Sequence, residues 1–300
     1  MQQKKMKNVN LKSDYTILKE EYPEMDLGTF LENKRSIFKK MFEIQYDLNV
    51  MTNGKNWYKG KTKNGLVINW DIALYTEIAE LIESFNWKHW KNDNPEFQYR
   101  YDKDNLIVET VDILHFIISV ILEKVTKIYT ITKGKEEIIN KALDYIEDPN
   151  FTNVIYATYE EGKKINKSLL IEDAMSMMSC GYNRDIKKLP VLFHNFLKLV
   201  VDINYFQRFN LMDMYKSYVC KSFLNTFRQE NGYKEGTYVK YFNGQEDNVT
   251  AFEVMKKYTM DELVHDFDNV KKDWFLEFSN LYNNRPASKL QKLFGKLFSK

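Results

Sequence analysis

Apolar residues recur at helical spacing along most of the chain. Between Leu27 and Val50, Phe30, Leu31, Ile37, Phe38, Met41 and Phe42 return every three or four positions, which predicts a helix with Asp26 as its cap. Residues 52–65, TNGKNWYKGKTKNG, break the pattern with Gly, Asn and Lys and read as a loop. Helical spacing resumes near Ile68 and runs into SFNWKHWKND. A polar connection over Pro95–Asp104 follows, and Asp104 or Asn105 caps the next run, NLIVETVDILHFIISVIL. That run is apolar around most of its circumference, as expected of a buried helix. Residues 121–150 continue helical with mixed charge, and 151–195 reads as short helices broken at Gly162, Gly181 and Pro190. Phe193–Phe206 predicts an apolar helix and Met212–Phe227 an amphipathic one, stopped by Asn231-Gly232.

The expected fold is therefore all-α, a helical bundle. Only 11 Gly and five Pro in 300 residues leave few tight turns for a β architecture, and 15% aromatic residues are too many for a disordered chain. The pattern suggests a polar arm (1–25), a main all-α domain (26–250, with an irregular helical region over 130–195) and a C-terminal helical extension (251–300). The net charge of +2 gives no global field for nucleic acid, so no direct nucleic-acid binding is expected. Cys180 and Cys220 form neither a disulfide framework nor a metal-ligand spacing. The first residues lack a signal-peptide apolar core, and the apolar run Ile113–Leu122 is too short to span a bilayer. The expectation is a cytoplasmic protein with no membrane partner.

Two acidic pairs stand out inside apolar runs, Glu77-x-x-Glu80 and Glu109-x-x-Asp112. Residues three apart on a helix share a face, with Cβ atoms about 5–6 Å apart. Each pair alone is compatible with a solvated helix face. Ile78, Ala79, Leu81 and Ile82 around the first pair, and Val108, Val111 and Ile113 around the second, argue instead for burial. Carboxylates there need a metal or a base as partner. Four of them converging in a helical hairpin would suit Mg²⁺, a hard cation that takes oxygen ligands and substrate phosphates.

Further polar groups recur at helical spacing. Gln45 and Asn49 lie one turn apart, a spacing that fits a surface equally well. Lys221, Asn225 and Arg228 fall on one face, and the Gly-rich turn after them carries Tyr233, Lys234, Tyr238 and Lys240. Such cations offset polyphosphate charge, or else form a solvated face. In SFNWKHWKND, aromatic and basic residues alternate, suiting either a nucleotide or amphipathic packing with snorkelling lysines. His194 and His265 stand alone and read as structural or exposed.

WDIALYTEIAELIESFNWKHWKN followed by NLIVETVDILHF resembles the all-α nucleoside triphosphate pyrophosphohydrolase superfamily, and within it the dimeric deoxyuridine triphosphatase (dUTPase) family. LNVMTNGKNWYKG upstream and KSFLNTFRQENGYKEGTYVKYFNGQEDN downstream resemble that family's other motifs, in the right order. The resemblance covers roughly residues 37–125 and 205–250. It implies Mg²⁺ ions held by Glu77, Glu80, Glu109 and Asp112, with Glu80 as the base that orients water. It implies that Gln45, Asn49 and Asn225 bind the pyrimidine, and that His115 and Phe116 shape the sugar pocket. Lys88, Lys91, Lys221, Arg228, Lys234 and Lys240, with Tyr233 beside them, are implied as phosphate ligands. The expected activity is hydrolysis of dUTP, and of dUDP, to dUMP in a homodimer. Rival readings are dCTP or another nucleotide on the same fold, and a nucleotide-binding regulatory protein with little turnover.

Overall fold

The computed structural model describes residues 27–91, 101–129, 134–147, 167–179, 186–207 and 211–284. The expected arm (1–25), the Asp26 cap, the breaks at Gly162 and Gly181, and the basic end (285–300) lie outside the described residues. Among those residues the fold is all-α, with short 3₁₀ turns, two isolated β-bridges and a small hairpin of two-residue strands. The chain divides into two compact units between Met214 and Tyr215.

The first unit holds α1 (Leu27–Asn53), α2 (Trp70–Glu83), α3 (Lys103–Ile128), α4 (Lys135–Glu147), α5 (Lys167–Ser179) and α6 (Leu189–Gln207). Helices α2 and α3 pack as a hairpin; α1 and α4 pack on α3 and on each other, and α5 joins α2 to α6. Helix α3 is the core. Leu106, Val111, Ile113, Ile117 and Leu122 have at most trace exposure, and the removal of these side chains from water does most to hold the unit together. By length and composition α3 would suffice to cross a membrane, yet most of its apolar window is buried inside the protein.

The structure revises several sequence expectations. The cap of α3 is Asp102, whose carboxylate accepts from the Asn105 backbone N–H at 2.9 Å; Asp104 and Asn105 lie inside the first turn. The helical stretch expected over 121–150 holds the end of α3 and then α4, with Gly134 at φ +100° just ahead of α4, a conformation that favours glycine. Pro190 starts α6 instead of breaking a helix, because its missing N–H is harmless in the first turn. Helix α2 is amphipathic, not buried all round: Leu74, Ile78 and Leu81 face inward while Ile72, Ala79 and Glu80 are exposed.

The second unit contains most of α7 (Leu211–Glu230), the hairpin β1 (Tyr241–Phe242) and β2 (Gln245–Glu246), then α8 (Asp247–Met255), α9 (Met260–His265) and α10 (Phe267–Asn283). Asn243 and Gly244 take positive φ at the tip of the hairpin, as a tight turn between two strands requires. An aromatic core joins α7 to α10: Phe227 meets Phe278 edge-on at 4.9 Å, and Trp274 stacks on Phe278 at 4.7 Å. Thr259 and Glu262 form a reciprocal capping box at the start of α9.

A buried Asp–Lys–Asp cluster ties α5 to α6. Lys198 pairs with Asp173 across the helices and donates to Asp202 at 3.0 Å, one turn along its own helix. Burial pushes the Asp173 carboxyl up to about 6, reinforced by Asp202 and opposed by Lys198. A raised folded-state pKa adds stability that is complete below the unfolded value and lost as pH rises through about 6. Asp173→Asn removes that slope. Urea unfolding of both proteins between pH 4 and 7 should therefore show the wild type losing stability relative to the variant as pH rises.

Candidate active site

The two acidic pairs do meet, but unequally. Glu77 on α2 and Glu109 and Asp112 on α3 each offer a carboxylate oxygen within 4.8 Å of the others. Glu109 is 6% exposed, while Glu77 and Asp112 are half-buried. Glu80, expected as a fourth ligand, is exposed one turn beyond Glu77 and lies outside this group of three. Three anions this close, one of them buried, repel one another and lose hydration. The donor set is all hard oxygen on two packed helices, which fits a divalent cation of the Mg²⁺ type.

Helix α3 carries its polar face onward from Asp112 to His115 and Ser119, and α1 answers with Gln45 and Asn49. Both amides are 3% exposed, so the surface alternative for this pair does not hold. The His115 Nδ1–H donates to Gln45 Oε1 at 2.6 Å. Gln45 Nε2 donates to Asn49 Oδ1 at 3.1 Å and to Ser119 Oγ at 2.9 Å, and Asn49 Nδ2 donates to the same Oγ at 3.0 Å. Ser119, fully buried, was not singled out from the sequence.

The loop between α1 and α2 sets the starting points of the site helices. Trp57, with no exposed surface, makes edge contacts with Tyr46 at 6.0 Å and Trp70 at 6.1 Å. Trp70, the first residue of α2, lies 6.1 Å from Phe116 on α3. This aromatic row connects the neighbour of Gln45, the helix of Glu77 and the neighbour of His115. Past α2, Lys88 pairs with Glu83 and sits 5.2 Å over the Trp87 ring, while Lys91 is exposed.

In the second unit, the Lys221, Asn225 and Arg228 face is not a solvated one. Lys221 is 4% and Arg228 8% exposed. Arg228 donates through Nε and Nη2 to the two oxygens of Asp247, each at 2.8 Å, and through Nη1 to Asn225 Oδ1 at 3.3 Å. Lys221 Nζ donates to Asn248 Oδ1 at 3.1 Å, and the Tyr238 hydroxyl to Asp247 at 2.9 Å. Burial beside Asp247 raises the Tyr238 phenol far above its ordinary value. Tyr233 is exposed, with Arg228 at 6.0 Å and Lys240 at 5.5 Å from its ring. Lys234 and Lys240 are exposed. Sequence reasoning did not single out Asp247; its signal was an acid in the stretch GQEDN that opens a helix.

The dUTPase family matches the chain over residues 37–233, about two thirds of its length. The chain belongs to the dUTPase family. Comparison with curated proteins finds no match. The family match begins in the helix of the amide pair and ends in the turn after α7, so it spans the acidic cluster and the hydrogen-bonded amides described above. As a member of this family the protein is a dUTP diphosphatase, with dUTP as its substrate.

Cation binding should register directly in stability. A metal at about 100 times its dissociation constant adds about 2.7 kcal/mol to the folded state. Thermal unfolding with and without Mg²⁺ should show this upward shift in the wild type and its near-complete loss in Glu109→Gln. A second expectation contrasts two ion pairs. Asp247→Ala leaves Arg228 buried without its carboxylate, which should cost ~3–5 kcal/mol in urea unfolding. Glu83→Ala, which frees the partly exposed Lys88, should cost less than about 1 kcal/mol.

Proposed function

We propose that this dUTPase hydrolyses dUTP to dUMP and pyrophosphate in a Mg²⁺-dependent reaction, and that it also accepts dUDP. The observation that carries the reading is the convergence of Glu77 on α2 with Glu109 and Asp112 on α3 within 4.8 Å, α3 being also the helix of the His115–Ser119 end of a buried amide network. That spacing supports a reading in which chemistry on a polyphosphate and recognition of a base lie one helical stretch apart.

Glu77, Glu109 and Asp112 would hold Mg²⁺, which when bound neutralises phosphate charge and makes water a better nucleophile at neutral pH. Glu80, exposed one turn along from Glu77, orients the attacking water and takes its proton. Gln45 and Asn49 fix the uracil, while His115 and Phe116 shape the sugar pocket. Lys88 and Lys91, just past the end of α2, steady the phosphates and the leaving pyrophosphate. A site that hydrogen-bonds a base rejects a mismatched one because its buried polar groups are then left unpaired. We assign the working form as a cytoplasmic homodimer that lowers dUTP, limits uracil in DNA and supplies dUMP.

Product release from dUTP, dUDP, dCTP, dTTP and UTP, measured with and without Mg²⁺, tests the reading. Turnover of dUTP and dUDP should dominate, vanish on chelation, and fall by roughly 10²–10⁴ in Glu80→Gln. A preference for dCTP would keep the chemistry and change the substrate. Nucleotide binding with no turnover would point to a regulatory protein instead.

A further inference from the structure

The amide pair has a polarity, and something must choose it. As placed, His115 Nδ1–H donates to Gln45 Oε1, and Gln45 Nε2 donates onward to Asn49 Oδ1. The reverse is equally consistent for these three residues alone. With the proton on the other ring nitrogen, His115 would accept from Gln45 Nε2, and Asn49 would turn over to donate to Gln45 Oε1. Amide rotation and the histidine tautomer are set only by the surrounding hydrogen bonds.

Ser119 breaks the tie. Its hydroxyl sits 2.8 Å from the His115 carbonyl, one turn back on α3, and 3.4 Å from Asn49 Oδ1. Oγ has one proton and two lone pairs; as placed, the proton serves the His115 carbonyl and the lone pairs are left for the amides. Two groups face it, Gln45 at 2.9 Å and Asn49 at 3.0 Å, and both must present N–H. In the reversed arrangement Gln45 and Asn49 would both turn an oxygen toward Oγ, whose single proton can meet only one of them. At zero exposure no water relieves the conflict.

We propose that Ser119 is a specificity-determining positioning residue: by fixing which way the Gln45–Asn49 amides point, it selects uracil over cytosine. The inference rests on the reading that these amides meet the base. Uracil offers an N3–H donor and an O4 acceptor, whereas cytosine offers an N3 acceptor and a 4-amino donor. The two bases are hydrogen-bond inverses along that edge, so one amide polarity suits one base.

The test compares kcat/KM for dUTP and dCTP, and the binding of dUMP and dCMP, in Ser119→Ala, Ser119→Thr and Gln45→Leu. Ser119→Ala frees the amides to rotate, and the dUTP-to-dCTP ratio should fall by roughly tenfold or more as dUTP worsens and dCTP improves. Ser119→Thr keeps a hydroxyl and should restore the ratio. A purely structural serine would lower both substrates together and leave the ratio unmoved, which overturns the proposal. The nucleoside monophosphate measurements give the same ratio from binding alone if a variant loses turnover. If Gln45→Leu abolishes discrimination while Ser119→Ala keeps it, Ser119 has no such role and the base reading stands. If Gln45→Leu also keeps it, the base reading falls with the proposal.

Discussion

A buried helix that carries polar groups imposes conditions on everything around it. Helix α3 is enclosed by apolar packing, yet along one stripe it places Glu109, Asp112, His115, Ser119 and Glu123. None of these keeps its full hydration, and each must be met by a neighbour. Helix α1 supplies amides for His115 and Ser119, α2 supplies Glu77 beside the two acids, and Lys127 pairs with Glu123. The positions of α1 and α2 thus follow as much from polar obligations as from hydrophobic burial. The aromatic row through Trp57 and Trp70 holds the two flanking helices at the heights where those obligations can be met.

The same constraint separates what was legible in the chain from what was not. The all-α class followed from periodicity, because apolar burial on one face is a local property of sequence. The Glu109 and Asp112 pair was legible for a related reason, since acids inside an apolar run have few innocent explanations. Glu80 is exposed where burial was expected, because its apolar neighbours suggested burial on both sides of α2. In the fold, Ala79 and Ile72 simply face outward. The cap of α3 was missed by two or three residues, since Asp102, Asp104 and Asn105 all suit a helix start and only the backbone geometry chooses among them.

Ser119 and Asp247 were harder. A serine on an apolar helix most often bonds its own preceding turn, as Ser119 also does, and nothing local says that two distant amides will arrive. Yet the stripe of polar positions three and four apart from Glu109 to Glu123 was present in the sequence and traces the seam of the site. Asp247 lay in a stretch read for its amides and cations. Its partner Arg228 was read as a cation for a polyphosphate or for solvent, whereas the buried guanidinium is met by an anion within its own unit.

Asp247 also shows where the physical unit ends. The family match stops at residue 233, in the turn after α7, yet the carboxylate that balances Arg228 lies fourteen positions further on. Three of the rings around Phe227, namely Phe275, Phe278 and Tyr282, come from α10, further still. A chain shortened to the matched stretch would keep Arg228 and discard its counter-charge and the wall of its aromatic core. Likeness to a family marks what is shared among its members; the edge of a folding unit is drawn by the last residue that answers a buried charge.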